Sequence, residues 1–224
     1  MLKNIFQKLL LKSGKTYQID ERIPESLIFK NLIKRMLMLL RGLIKLQKKV
    51  FVGHNCSISN KANIEFGKNV TIEHNTTIDG YASQKIVIGD GSRIGAYSLI
   101  TCTSHLSKYG KGITIGTNSA IGQFSEFGAA GGISIGNDVI MGSYISFHSE
   151  NHNFNDTSKL IREQGVTSVG ISIGNNVWVG AKVTFLDGCK VGNNSVVAAG
   201  AVVNAIYPDN SVIGGVPAKV LKSI

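Results

Sequence analysis

Apolar residues recur at every sixth position late in the chain: Ile173, Val179, Phe185, Val191, Val197 and Val203. Four places after each of the first five stands a second small or branched residue: Val177, Val183, Cys189, Ser195 and Ala201. This period matches neither the 3.6-residue helix nor the two-residue strand. It suits a prism of coils, each coil built from three short strands with a corner after every hexad. The inward residue stacks on its counterparts in the coils above and below, and each burial contributes roughly 1.5–3 kcal/mol. Gly174-Asn175-Asn176 and Gly192-Asn193-Asn194 fall at corners, where Gly and Asn tolerate left-handed dihedrals. The fold class is mainly β.

The register starts near Val52, with Val52, Ile58 and Ile64 leading the first hexads. A marker of two apolar residues flanking any residue and followed by Gly then repeats, beginning at Ile64, Ile86, Ile113, Ile133 and Ile171. The intervals are 22, 27, 20 and 38 residues. Three hexads use 18, so the excess must leave the prism as loops. One is expected near Ser104–Gly112. A longer one, about Asn153–Gly170, has no hexad register and projects from a rigid body, a usual place for function.

The N-terminal part reads differently. Leu2, Ile5, Phe6, Leu9 and Leu10 share one helical face, and Ser13, Gly14 and Pro24 break the pattern. A longer helix is expected over Ser26–Gln47, capped by Ser26, with Phe29, Ile33, Met36, Leu40, Leu43 and Ile44 as its apolar stripe. Residues 1–50 hold 12 Lys and Arg against 3 acids, so nearly all of the formal charge of +10 is here. Residues 51–224 are near neutral, which argues against a nucleic-acid-binding body. Cationic residues interrupt every window long enough to span a bilayer, and no signal peptide is evident. The helices either cap the open end or side of the prism or lie on an anionic membrane; both can hold together. Three Cys at inward positions or run ends read as buried reduced thiols, which points to the cytoplasm, with peripheral placement at the inner face of the membrane as the second option. The chain thus divides into basic amphipathic helices over 1–50, a β-helix over 51–206 with its loop at 153–170, and a C-terminal tail over 207–224.

Among the five His, His54 and His74 fall at corners, where a solvated side chain is the default. His105 opens the smaller loop. His148 and His152 flank Ser149-Glu150-Asn151, where the last hexad before the long loop gives way. A His held there by a rigid scaffold suits a general base, because its ordinary pKa lies near neutrality. Glu150 or a backbone carbonyl would orient it.

Several stretches resemble the hexapeptide-repeat acetyltransferases. They are His148 to Phe154, Ile161-Arg162-Glu163-Gln164-Gly165, Ile173 to Ala181, Ala198 to Val203, and Gly214-Gly215-Val216-Pro217-Ala218-Lys219. The resemblance covers roughly residues 52–222 and is closest to the galactoside and maltose O-acetyltransferases and those of surface polysaccharides. It implies a left-handed parallel β-helix, a homotrimer, and acetyl-CoA bound between neighbouring subunits. His152 matches the family's catalytic base, with His148 as the alternative and Glu150 beside them. Trp178 matches a position beside the pantetheine arm. Ala181 and Ala199, with Gly180 and Gly200 next to them, match the backbone that bonds the pantetheine amides. Asn204 and Ala205 match the next cofactor-contacting pair but differ from the Thr-Lys often found there. Lys219 and Lys222 match basic residues that meet the CoA phosphates.

No Gly-x-Gly-x-x-Gly strand–helix unit for a nucleotide sugar is present, which favours O-acetylation of a sugar acceptor over aminosugar N-acetylation. Serine O-acetylation is a further alternative. No metal is expected in these readings. A zinc enzyme of the γ-type carbonic anhydrase kind would need His105, His148 and His152 as ligands across an interface, and leaves Trp178 without a purpose. A non-catalytic scaffold leaves the long loop beside two His unexplained.

Overall fold

The computed structural model describes residues 2–12 and 18–224. The expected break at Ser13 and Gly14 and the side chain of Leu2 lie outside the described residues. The body is a left-handed parallel β-helix. Among the described residues, three sheets of nine, seven and seven strands form its faces. The first face runs from Phe51–Val52 to Ser211–Gly215 and ends on Ala218–Ser223; the second runs from Ser57–Ser59 to Val202–Val203; the third runs from Ile64–Phe66 to Ile206–Tyr207.

Stacking follows the marker. Ile64 pairs with Ile86, Ile86 with Ile113, Ile113 with Ile133 and Ile133 with Ile171. Each face sends two residues inward per coil, which is why two apolar series appear in one period. Ile173, Val179, Phe185, Val191, Val197 and Val203 are all buried, as are Val177, Val183, Cys189, Ser195 and Ala201. Phe127, Phe147 and Phe185 stack inside the second face at centroid spacings of 4.6 and 4.9 Å.

The corners carry two kinds of ladder. Between the third and first faces it is polar: Asn137 N–H donates to Asn175 Oδ1, Asn175 N–H to Asn193 Oδ1, and Asn193 N–H to Asp209 Oδ1, at 2.7–2.8 Å. Asn176 and Asn194 there adopt the left-handed backbone the sequence implies. Between the first and second faces the same conformation falls on Tyr97, Phe124 and Tyr144, bulky residues for which a positive φ is uncommon. Their rings stack at 4.9 Å, and His74 meets Tyr97 edge-on. His54 and His74 stack on each other at 5.0 Å, so these two corner imidazoles are ring-packed.

Two helices precede the prism: α1, Leu2–Lys12, and α2, Glu25–Leu46. The longer one begins at Glu25, after Pro24, and no side chain caps it. Ser26 therefore sits inside the first turn, too late to serve as the cap. The six residues of the expected apolar stripe are not the ones turned to the first coil. Ile28, Met38 and Gly42 are the buried residues of α2, whereas Phe29, Ile33, Met36, Leu40, Leu43 and Ile44 are exposed by 38–79%. The reason lies in the first coil. A Cβ on Gly42 would sit 1.8 Å from the Val50 carbonyl oxygen, so closest approach happens at that glycine and sets the rotation of the helix. Arg35 follows the same side, donating to Thr71 Oγ1 at 2.9 Å with its guanidinium 3.4 Å above the Phe51 ring. Leu46 packs against the core, and Lys34 and Arg35 meet Glu73, Thr71 and Phe51, so α2 packs on the first coils.

Candidate functional site

The third face must resume at Ile171 after the second face ends at His148, and 20 residues more than the regular coil separate its rungs at Ile133 and Ile171. The excess leaves at the corner between those faces. Its base is an antiparallel pair, Asn151–His152 with Val166–Thr167, so the excursion starts two residues earlier than the hexad pattern suggests. Asp187 fixes the return, accepting from the backbone N–H groups of Val169 and Gly170 at 2.7–2.9 Å. Inside the excursion Gln164 ties the strands together through Asp156 and Lys159.

His148 stands on the outer side of the second face, with Gly128 beside it in the stack and Thr101 next. A glycine there leaves a gap: a Cβ would meet only the Phe147 carbonyl oxygen, at 3.2 Å. The gap is part of a recess of about 250 Å³ lined among others by Thr101, Ser104, Glu126, His148 and Glu150. His152 lies on the arm, exposed. Neither imidazole, of His148 or of His152, has a hydrogen-bond partner among the described residues. Glu150 is held elsewhere: Lys108 of the smaller loop places its Nζ 3.6 Å from the carboxylate and also donates to Ser168 Oγ. Sequence reasoning did not reach Lys108, because its partners lie 42 and 60 residues away and only the stack brings them together. His105 is engaged locally, with Nδ1 2.7 Å from Ser107 Oγ and accepting from the Ser107 N–H. No group of three or more His, Cys, Asp or Glu among the described residues is placed to share a metal ion.

The other candidate residues fall in two places. Gly180, Ala181, Ala199 and Gly200 come together at the corner between the first and second faces; a Cβ on Gly180 would lie 2.5 Å from the Ala199 nitrogen. At Gly180 the coils touch backbone to backbone, and the exposed Lys182 follows Ala181 at the same corner. Trp178 lies beside it on the outer side of the first face, 60% exposed. Its row continues through Val196 and Val212 to Lys222, with Lys219 on the same closing strand. Asn204 and Ala205 are not part of this group. They occupy the opposite edge of the second face, where Ala205 accepts from the Lys190 N–H and Asn204 faces the Tyr207 hydroxyl.

The three-sided stack, interrupted by a small loop and a long arm, defines a class of fold, and the comparisons agree with it. Residues 170–205 match the family described as bacterial transferase hexapeptide (six repeats). Over that stretch the chain resembles the hexapeptide-repeat transferases. It is similar to Rv3034c of Mycobacterium tuberculosis, assigned as an acetyltransferase, with 27% identity over 139 residues, 62% of this chain and 44% of that protein. The chain thus spans less than half of that relative's length. It is also similar to WbbJ of Escherichia coli K12, assigned as a lipopolysaccharide biosynthesis O-acetyl transferase, with 28% identity over 174 residues and 75% of each chain. Among solved structures, AntD of Bacillus cereus, an N-acyltransferase held with coenzyme A and dTDP-4-amino-4,6-dideoxyglucose, superposes with a TM-score of 0.54 at 19% identity, covering 79% of this chain and 81% of that one. At that identity the likeness speaks for the fold alone.

Proposed function

We propose that this chain transfers an acetyl group from acetyl-CoA to a sugar hydroxyl, in the making of a surface polysaccharide. The observation that carries the reading is the longer interruption of the prism: it carries an exposed imidazole without a side-chain partner, His152, on a pinned two-stranded arm whose first residues follow a polar recess. His152 accepts the acceptor's hydroxyl proton as the oxygen bonds to the acetyl carbon; the C–S bond then breaks, and the CoA sulfur takes that proton from His152 as it leaves. General base catalysis of this kind contributes about 10²–10⁴-fold. His148 lines the recess and is the alternative base. Thr101, Ser104, Glu126 and Glu150 offer the hydroxyls and carboxylates that sugar hydroxyls bond.

For the donor, the small residues Gly180, Ala181, Ala199 and Gly200 let an extended chain approach backbone amides closely, with Trp178 on one side. Lys219 and Lys222 at the end of the same face suit phosphates as point charges. Asn204 and Ala205 stand apart and belong to this donor site only through a second copy. Trp178 and His148 lie on different outer faces, so a donor along the first face meets a His-bearing face when another copy lies against it; this supports a site shared between subunits, as in a homotrimer.

An aminosugar acceptor is the second reading, favoured by the two carboxylates in the recess, which suit an ammonium group. The test is mass spectrometry of the product from acetyl-CoA and a panel of glycans. An acetyl mark removed by mild base is an ester and supports the proposal; a base-stable amide supports the second reading; release of CoA with no acceptor modified contradicts both.

A further inference from the structure

We infer that the outer side of α2 is a docking surface for an anionic lipid bilayer. This helix is apolar on two sides. One side is turned inward: Ile28 and Met38 are buried, Gly42 meets Val50, and Leu46 packs against the core of the prism. The other carries Phe29, Ile33, Met36, Leu40, Leu43 and Ile44 at steps of three and four, all exposed by 38–79%. These six form one stripe about 23 Å long at a rise of ~1.5 Å per residue. A continuous apolar strip of that length is uncommon on a soluble surface and marks an interaction site.

The charge around the stripe says what covers it. Lys30, Arg41 and Lys49 have no ion pair among the described residues, and Glu25 is the only acid on α2. Beyond Ile44 the helix runs into a cleft of about 510 Å³ lined by Lys45, Lys48 and Lys61, among others. Lys45 and Lys61 donate only to backbone carbonyls, and Lys48 lies 6.0 Å over the Phe66 ring. The one acid of that cleft, Glu65, is already paired with Lys85. Cationic charge therefore stands unneutralised along the stripe and at its end. Residues 1–50 carry 12 Lys and Arg against 3 acids. A second copy laid face to face would set like charge on like. An anionic bilayer complements both features, at ~1 kcal/mol for each well-placed cation, and accepts the apolar stripe at the depth of the acyl boundary. No helix among the described residues is long and apolar enough to cross a membrane, so α2 lies in the interface plane.

The test is flotation of the full chain with phosphatidylcholine vesicles, alone or with roughly one-third phosphatidylglycerol. Binding to the anionic vesicles at least about tenfold stronger than to the neutral ones, weakened by salt, is expected. The pair Leu40→Asp with Ile44→Asp, and separately the pair Lys30→Glu with Lys49→Glu, should abolish flotation. Both pairs alter exposed side chains, so circular dichroism and melting should stay as in the parent. Absence of flotation overturns the inference, as does equal partition onto both vesicles. Self-association in solution that the Leu40 and Ile44 substitutions remove also overturns it, and makes the stripe an interface between copies.

Discussion

Lys108 Nζ lies 3.6 Å from the Glu150 carboxylate and the same ammonium donates to the Ser168 hydroxyl. One side chain of the small loop thereby holds both ends of the excursion that carries His152. An ion pair this exposed stabilises by no more than ~1 kcal/mol. Lys108→Ala should therefore leave the melting temperature nearly unchanged and lower turnover about tenfold through a looser arm. Lys108→Arg should recover most of that loss. Steady-state kinetics beside a melting curve separates the two effects; a parallel loss of both would make the contact merely structural.

Gly128 is the second handle on the site. It carries no side chain next to His148, and a Cβ there would crowd one neighbour, the Phe147 carbonyl oxygen at 3.2 Å. Gly128→Val should fold normally and fill the recess. We expect acceptor KM to rise about tenfold, as for ~1.4 kcal/mol of lost binding, with donor KM unchanged. A change confined to the donor would place the acceptor elsewhere.

How much of this was legible in the sequence follows from what each feature depends on. The five markers fixed the stacking of Ile64, Ile86, Ile113, Ile133 and Ile171, because a register of inward apolar residues is itself a one-dimensional pattern. The rotation of α2 was not legible. Its two apolar sides look alike in the sequence, and the choice was made by Gly42 against the Val50 carbonyl, a contact outside the helix. The ring ladder of Tyr97, Phe124 and Tyr144 was hidden for a similar reason: these residues take corner positions where Asn or Gly is the expectation. In the site, spacing alone brought out His148, Glu150 and His152, while the partner of Glu150 came from a neighbouring coil.

Glu73 joins the helix to the prism. Burial raises its carboxyl pKa, but Lys34 at 2.9 Å and Arg93 at 3.0 Å outweigh that, with His74 adding to them, and hold it below the ordinary range. A depressed folded pKa means the stabilisation is full above the unfolded value, near ~4.3, and is lost as pH falls through the folded one. Glu73→Gln should cost roughly 1–3 kcal/mol at neutral pH. The parent's melting temperature should fall more steeply than the variant's between about pH 5 and 3. Parallel curves would show that Glu73 titrates alike in both states.

The three Cys are free and buried, and burial pushes the thiols of Cys102 and Cys189 up to about 12. A thiol at that value offers almost no thiolate near neutrality. Ellman's reagent should leave the native protein unlabelled over an hour at neutral pH and label three thiols in denaturant. Fast labelling of the native chain would mean that the coils open.

The account rests above all on His152. The direct measurement is acetyl transfer from acetyl-CoA by the His152→Ala and His148→Ala variants, each checked for an unchanged melting curve. Turnover about 10²–10⁴-fold lower in the first and within about tenfold of the parent in the second is the predicted result. Parental turnover in a folded His152→Ala variant would contradict it.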